Sequence, residues 1–148
     1  MACPRSVTHG ASGSATACSS ARKVATTVHA LEDDLAGREA ALAAALTSAV
    51  VAVYGEWARE LVAVQMIGLP PGRWAVGGQL AQTVSPAVTF GIREAKFARP
   101  DTNELVPNLI ASVTSAVAAV FGEHSRTGVT VELVATPPGR TGIGGALV

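Results

Sequence analysis

Apolar positions along this chain switch back and forth between two periods. From Val24 to Val28, valines alternate with polar and small residues, which predicts a short strand. Leu42, Leu46, Ala49, Val50 and Val53 then recur at helical spacing, with Asp33 or Asp34 offering a cap ahead of them and Gly55 at their end. Val62, Val64 and Met66 alternate again, as a second strand. Pro70-Pro71-Gly72 then turns the chain, and Gly77-Gly78 marks a further turn.

The same plan follows once more. Val88, Phe90 and Ile92 alternate; Asp101 and Glu104, three apart, have the form of a capping box; and Pro107 suits only the first turn, so a helix is predicted to start around Asn103. Its apolar stripe is Leu109, Ile110, Val113, Val117, Val120 and Phe121, and Val129, Val131 and Leu133 make the last main strand. Residues 46–80 and 113–147 align without a gap at an offset of 113 − 46 = 67. The alignment matches Gly55 with Gly122, Glu56 with Glu123, Arg59 with Arg126, and Pro70-Pro71-Gly72-Arg73 with Pro137-Pro138-Gly139-Arg140. Composition can echo alanine and valine, but it does not reproduce a PPGR turn and a double glycine at one spacing, so the chain is a tandem duplication. The first strands pair best at an offset near 64, so the second copy has gained about three loop residues.

Each copy reads strand–helix–strand, and a crossover of that length implies parallel pairing with a right-handed connection. The predicted fold is α/β (α+β): tandem β-α-β units forming a four-stranded sheet with two helices on one face. Residues 1–21, rich in Ser, Ala, Gly and Thr, read as a flexible leader without the apolar run of a signal peptide. Residues 22–148 read as one domain made of two repeats, 22–81 and 86–148, that share a core because so small a unit is poorly stable alone. Phe90, Val24 and the alanine-rich alternate positions are expected on the uncovered sheet face, which therefore wants a partner.

Charge and composition then narrow the function. The formal net charge of +0 argues against a broad nucleic-acid surface. The uncharged stretch from Leu105 to Gly122 contains Pro107 and Asn108 and keeps its large apolar residues on one side, so it reads as a core helix and not a membrane span. Two cysteines, Cys3 and Cys18, make no disulfide framework, and a cytoplasmic location is the default. Neither His29 nor His124 has a carboxylate or cysteine at metal-ligand spacing, so each reads as surface or capping. The closing Gly142-Ile143-Gly144-Gly145 follows a strand and turn and opens no helix, so it is no phosphate loop.

Gly142-Ile143-Gly144-Gly145-Ala146-Leu147, following the strand Val129-Thr130-Val131-Glu132-Leu133, resembles the closing hairpin of the tautomerase superfamily, the group of 4-oxalocrotonate tautomerase. The helix from Leu109 to Val117 has that family's look as well, and the resemblance runs from about Val24 to Leu147. It implies a β-α-β building block, a fused two-copy chain that assembles as a trimer, small carboxylate or ketoacid substrates, and no cofactor. Implied activities are keto–enol tautomerisation, dehalogenation or hydration of haloacrylates, and decarboxylation. The family's base is an amino-terminal proline, which this sequence lacks: Met1 is followed by Ala2, the first proline is Pro4, and Pro86, at the start of the second copy's strand, has its nitrogen in an amide bond. The family's strand arginine aligns with Ala63 and Thr130, and its aromatic before the closing glycines with Trp74 and Thr141; Arg38 and Arg99 lie near its early loop arginine.

Arg73 and Arg140 follow the same PPG turn in the two copies, and a guanidinium can hold a carboxylate by two parallel hydrogen bonds. Arg73, Trp74 and Arg140 are therefore the expected substrate-binding residues, with Trp74 walling an apolar pocket; no catalytic base is identified. Arg93 and Glu94 could place charge at a pocket mouth, whereas Arg59 and Arg126 suit helix C-terminal charge complementarity. The expected function is a tautomerase-like isomerase or lyase acting on a small unsaturated 2-oxo carboxylate. The alternative is a non-catalytic subunit that assembles with itself, as a homotrimer, or with a related proline-bearing chain.

Overall fold

The computed structural model describes residues 24–147; the expected leader, with Cys3, Pro4 and Cys18, lies outside them. Strand β1 (Val24–Leu31) leads through a single helical turn, α1 (Glu32–Leu35), into helix α2 (Glu39–Tyr54), a 3-10 turn (Glu56–Leu61) and strand β2 (Val62–Leu69). A short hairpin, β3 (Ala75–Val76) and β4 (Gln79–Leu80), closes the first copy. The second copy runs β5 (Ala87–Arg93), α3 (Thr102–Phe121), a 3-10 turn (Glu123–Gly128), β6 (Thr130–Thr136) and the hairpin β7 (Gly142–Ile143) with β8 (Ala146–Leu147).

The sheet order is β2-β1-β5-β6. Within each copy the strands are parallel, Val24 opposite Val62 and Val88 opposite Val131, as the crossover length requires. The copies meet through the antiparallel pair β1–β5, with Thr26 opposite Phe90 and Val28 opposite Val88. This antiparallel seam gives the chain an internal two-fold relation, so each site at one end of the sheet has a counterpart at the other.

Both helices cover one face. Leu42 and Leu46 from α2, Leu109 and Val113 from α3, and Val28 and Phe90 from the central strands are all fully or almost fully buried. Each such side chain contributes roughly 1.5–3 kcal/mol on removal from water. The expectation that Phe90 and Val24 face the uncovered side is corrected: Phe90 is in the core and Val24 packs against it. Alternation fixes which residues share a face but not which face the helices choose, and the larger side chains took the covered one. The open face instead carries rows of small or polar residues, such as Gln65, Thr27, Thr89 and Glu132 in one row and Ala63, Ala25, Gly91 and Val134 in the next.

Three local expectations also change. Neither Asp33 nor Asp34 caps the main helix, because the one-turn α1 intervenes and Gly37, at φ 80°, redirects the chain before α2. Asp101 stands at the N-cap of α3 yet makes no capping bond; its carboxylate accepts a bidentate pair from Arg99 (2.9 and 2.8 Å), and a charge-assisted fork outcompetes a cap. Arg59 and Arg126 pair with Glu56 and Glu123 inside the 3-10 turns, so their repetition reflects a duplicated local ion pair. Gly55 and Gly122 end the helices at φ 103° and 109°, as their spacing predicts. Helix α3, though long and apolar enough to cross a membrane, lays its Leu109, Val113, Val117 and Phe121 stripe on the sheet; Ile110, expected in that stripe, is outside the buried set.

Candidate functional site

Two cavities lie at opposite ends of the sheet, and the duplication relates them. Trp74 and Val76 of the first hairpin wall the smaller, of about 390 Å³. Their counterparts at the offset of 67, Thr141 and Ile143 of the second hairpin, wall the larger, of about 780 Å³. The smaller opens beside Ser85 and Ala87, where β5 begins; the larger opens beside Val24 and Ala25, where β1 begins. Each hairpin therefore leans over the start of the other copy's first strand, a consequence of the antiparallel seam.

The larger cavity joins an apolar wall to a charged rim. Tyr54, Trp57, Phe90 and Leu109 supply the wall; Arg93, Lys96 and Arg99 supply the rim. Arg99 is steadied by Asp101, which raises its guanidinium further above its ordinary range while the Asp101 carboxyl is held below the usual carboxylate range, in both cases chiefly through their shared hydrogen bonds. Partial burial pushes the Tyr54 phenol above its ordinary value; Arg99 opposes that shift and Asp101 adds to it. Among the described residues, no Asp, Glu or His lines this cavity.

The smaller cavity is chemically different. Besides the Trp74 indole it presents the hydroxyls of Thr83, Ser85, Thr89 and Thr130 and one ionisable group, the Glu132 carboxylate. Pro86, between two of the lining residues, is buried, and its carbonyl accepts a hydrogen bond from the Thr130 amide at 3.1 Å.

Of the expected binding residues, Trp74 lines the smaller cavity. Arg73 and Arg140 are exposed on their turns, one position before Trp74 and Thr141, and neither lines a cavity. Arg93 and Arg99, singled out in the sequence, come together at the larger cavity with Lys96, Tyr54 and Trp57, which were not. One signal could have found them. The second copy's three extra residues fall between β5 and α3, the segment that holds Lys96 and Arg99, and Arg93, Lys96 and Arg99 are spaced three apart. His29 lies within β1, not beyond it, and is half-buried on the open face beside Ile67. Among the described residues, no group of three His, Cys, Asp or Glu side chains converges to hold a metal.

No family profile and no curated protein matches the chain by sequence. Solved structures do. A fused 4-OT described as a wild-type asymmetric trimer is 26% identical, with a TM-score of 0.69 over 83% of this chain and 94% of that one. A second fused 4-OT, a symmetric trimer, is 22% identical with a TM-score of 0.66 over 83% and 94%. A member of the cis-3-chloroacrylic acid dehalogenase family is 24% identical with a TM-score of 0.67 over 84% and 82%. The chain is thus structurally homologous to members of the tautomerase (4-OT) superfamily, and its β-α-β repeats and mixed four-stranded sheet are those of that fold.

Proposed function

We propose that this chain is a tautomerase-like isomerase or lyase of a small unsaturated 2-oxo carboxylate, bound in the larger cavity. One observation carries the reading: Arg93, Lys96 and Arg99 line a cavity that Tyr54, Trp57 and Phe90 line as well. Cations recognise the carboxylate and polarise the 2-oxo group as it gains enolate character, while the apolar wall excludes water and strengthens both effects. Arg140, beside Thr141, adds a cation near the same hairpin. Arg73 and Trp74 are the duplicate of that pair at the smaller cavity. The proposal assigns no base, since no carboxylate or imidazole among the described residues lines the larger cavity. Assembly as a homotrimer through the open sheet face belongs to the same reading, because fused 4-OT chains of this fold are described as trimers.

That missing base is also the observation behind a second reading, a non-catalytic subunit that assembles with itself or with a related chain. One assay separates them. Ultraviolet absorbance is followed with an unsaturated 2-oxo dicarboxylate and with phenylenolpyruvate, for the wild type and for Lys96→Ala, Arg140→Ala and Arg73→Ala. A wild-type rate that falls in Lys96→Ala and Arg140→Ala supports the larger cavity. A rate lost only in Arg73→Ala moves the site to the smaller one. No rate above buffer favours the assembly reading.

A further inference from the structure

The duplicated cavities have diverged to opposite charge. At one end of the sheet three cations line the cavity; at the other the sole ionisable lining group among the described residues is the carboxylate of Glu132. We infer that the smaller cavity is a binding site for a small organic cation, a quaternary or methylated amine, held between the Trp74 indole and Glu132.

The chemistry follows from the lining. An indole face attracts a cation through its quadrupole and is the best of the aromatic side chains at doing so. A weakly hydrated alkylammonium loses little by leaving water for such a wall, and a carboxylate on the far side supplies the counter-charge. Glu132 lies on β6 opposite Thr89 of β5, and Trp74 is carried there by the hairpin of the other copy, so the indole and the carboxylate come from the two halves of the duplication. Glu132 makes no ion pair within the described residues, whereas Glu56, Asp101 and Glu123 each do. The hydroxyls of Ser85, Thr89 and Thr130 can accept from an alkylammonium N–H or bind a hydroxyl carried by the ligand. The cavity, about 390 Å³, suits a compact ligand. The duplicate cavity is unsuited to this ligand: although Trp57 lines it, Thr141 stands in the place of Trp74 and the rim is cationic.

This inference uses no residue of the larger cavity, and the test keeps it apart from the isomerase activity; Thr89 and Glu132 also stand on the open face, so a copy seated there would border this site. Choline is titrated into the full chain carrying Trp57→Phe, which leaves Trp74 as its only tryptophan and hence the fluorescence reporter. The control is choline's neutral isostere, with carbon in place of the quaternary nitrogen. The expected result is a saturable change with choline, a much smaller response to the isostere, and binding about tenfold weaker in Glu132→Gln. Arg73→Ala leaves choline binding unchanged or tightens it, since a neighbouring cation only opposes the ligand. Lys96→Ala, at the other end of the sheet, leaves it unchanged. An equal response to the isostere, or full binding in a Glu132→Gln variant with a wild-type circular dichroism spectrum, overturns the inference. So does acetate binding that is lost in Arg73→Ala, which would make the site anionophilic.

Discussion

The Ser112 hydroxyl on α3 donates a hydrogen bond to the Ala49 carbonyl on α2 at 3.2 Å, across 63 residues of chain. It ties together the helices of the two copies, and it spends a carbonyl that is already engaged in helix α2. A part-buried hydrogen bond of this kind contributes about 1 kcal/mol net. Ser112→Ala is therefore expected to lower the unfolding free energy by about that amount, with an unchanged urea m-value. A shift in the m-value instead would mean that the copies no longer unfold together.

Thr26 supplies the opposite case. It is 1% exposed on the covered face of β1, opposite Phe90, and its Oγ1 has no hydrogen-bond partner among the described residues. A buried hydroxyl left unsatisfied costs about 1–3 kcal/mol. Thr26→Val keeps the shape and removes the orphan, so urea unfolding should show a gain of about 1 kcal/mol. A loss would show that the hydroxyl has a partner, most simply an ordered water, in solution.

These two residues mark how much the sequence discloses. The gapless offset of 67 and the switch between periods of two and 3.6 were enough for the repeat, the element order and the parallel pairing within each copy. They could not orient Thr26 and Phe90, because alternation is symmetric between the faces until the helices are placed. The candidate site was legible in part. Trp74, singled out in the sequence, lines the smaller cavity, whereas Tyr54, Trp57 and Lys96 lie on three separate segments that only the fold brings beside Arg93 and Arg99. Asp101 misled for a related reason: its spacing to Glu104 is that of a cap, and nothing local tells that Arg99 takes its carboxylate first.

Tyr54 is the chain's only tyrosine, so ultraviolet titration of tyrosinate reports it alone. Burial raises its pKa above 10.0 in the folded state. The unfolded chain therefore loses this proton first as pH rises, and between the two pKa values the folded state holds more protons. Stability is unaffected below the unfolded value and falls as pH climbs from about 10 through the folded pKa. The folded protein should titrate later than the urea-unfolded chain, and Tyr54→Phe should remove that part of the alkaline loss in Tm. Coincident folded and unfolded titrations would mean that the larger cavity is more solvated than its wall suggests.

Gly122 closes α3 at φ 109°, and a Cβ there would come within 2.7 Å of the His124 ring. Both the left-handed backbone and the ring oppose a side chain. Gly122→Ala should cost at least about 1–2 kcal/mol, the penalty for an L-residue in that region. In the double variant Gly122→Ala with His124→Ala the ring clash is gone and only the backbone term stays, so the double variant should recover part of the loss. Full recovery would place the whole cost in the ring contact and none in the backbone.

The open face gives the last prediction. Thr27 stands at its centre on β1, between Gln65 and Thr89, with Glu132 beyond. Small side chains let another sheet or copy approach closely, and a long cation at the middle of such a row would hold it off. If copies associate through this face, Thr27→Arg should shift sedimentation from the assembled species to the monomer while leaving circular dichroism unchanged. The variant also separates assembly from chemistry. Loss of the trimer with retained turnover would mean that the larger cavity is complete within one chain, as its lining from both copies suggests. Loss of both would mean that a neighbouring copy completes the site, for example with a carboxylate or imidazole that no described residue brings to this cavity. An unchanged sedimentation profile would exclude the open face as the contact and direct attention to the exposed hairpin residues Val76, Leu80 and Leu147, which are 65%, 65% and 72% exposed.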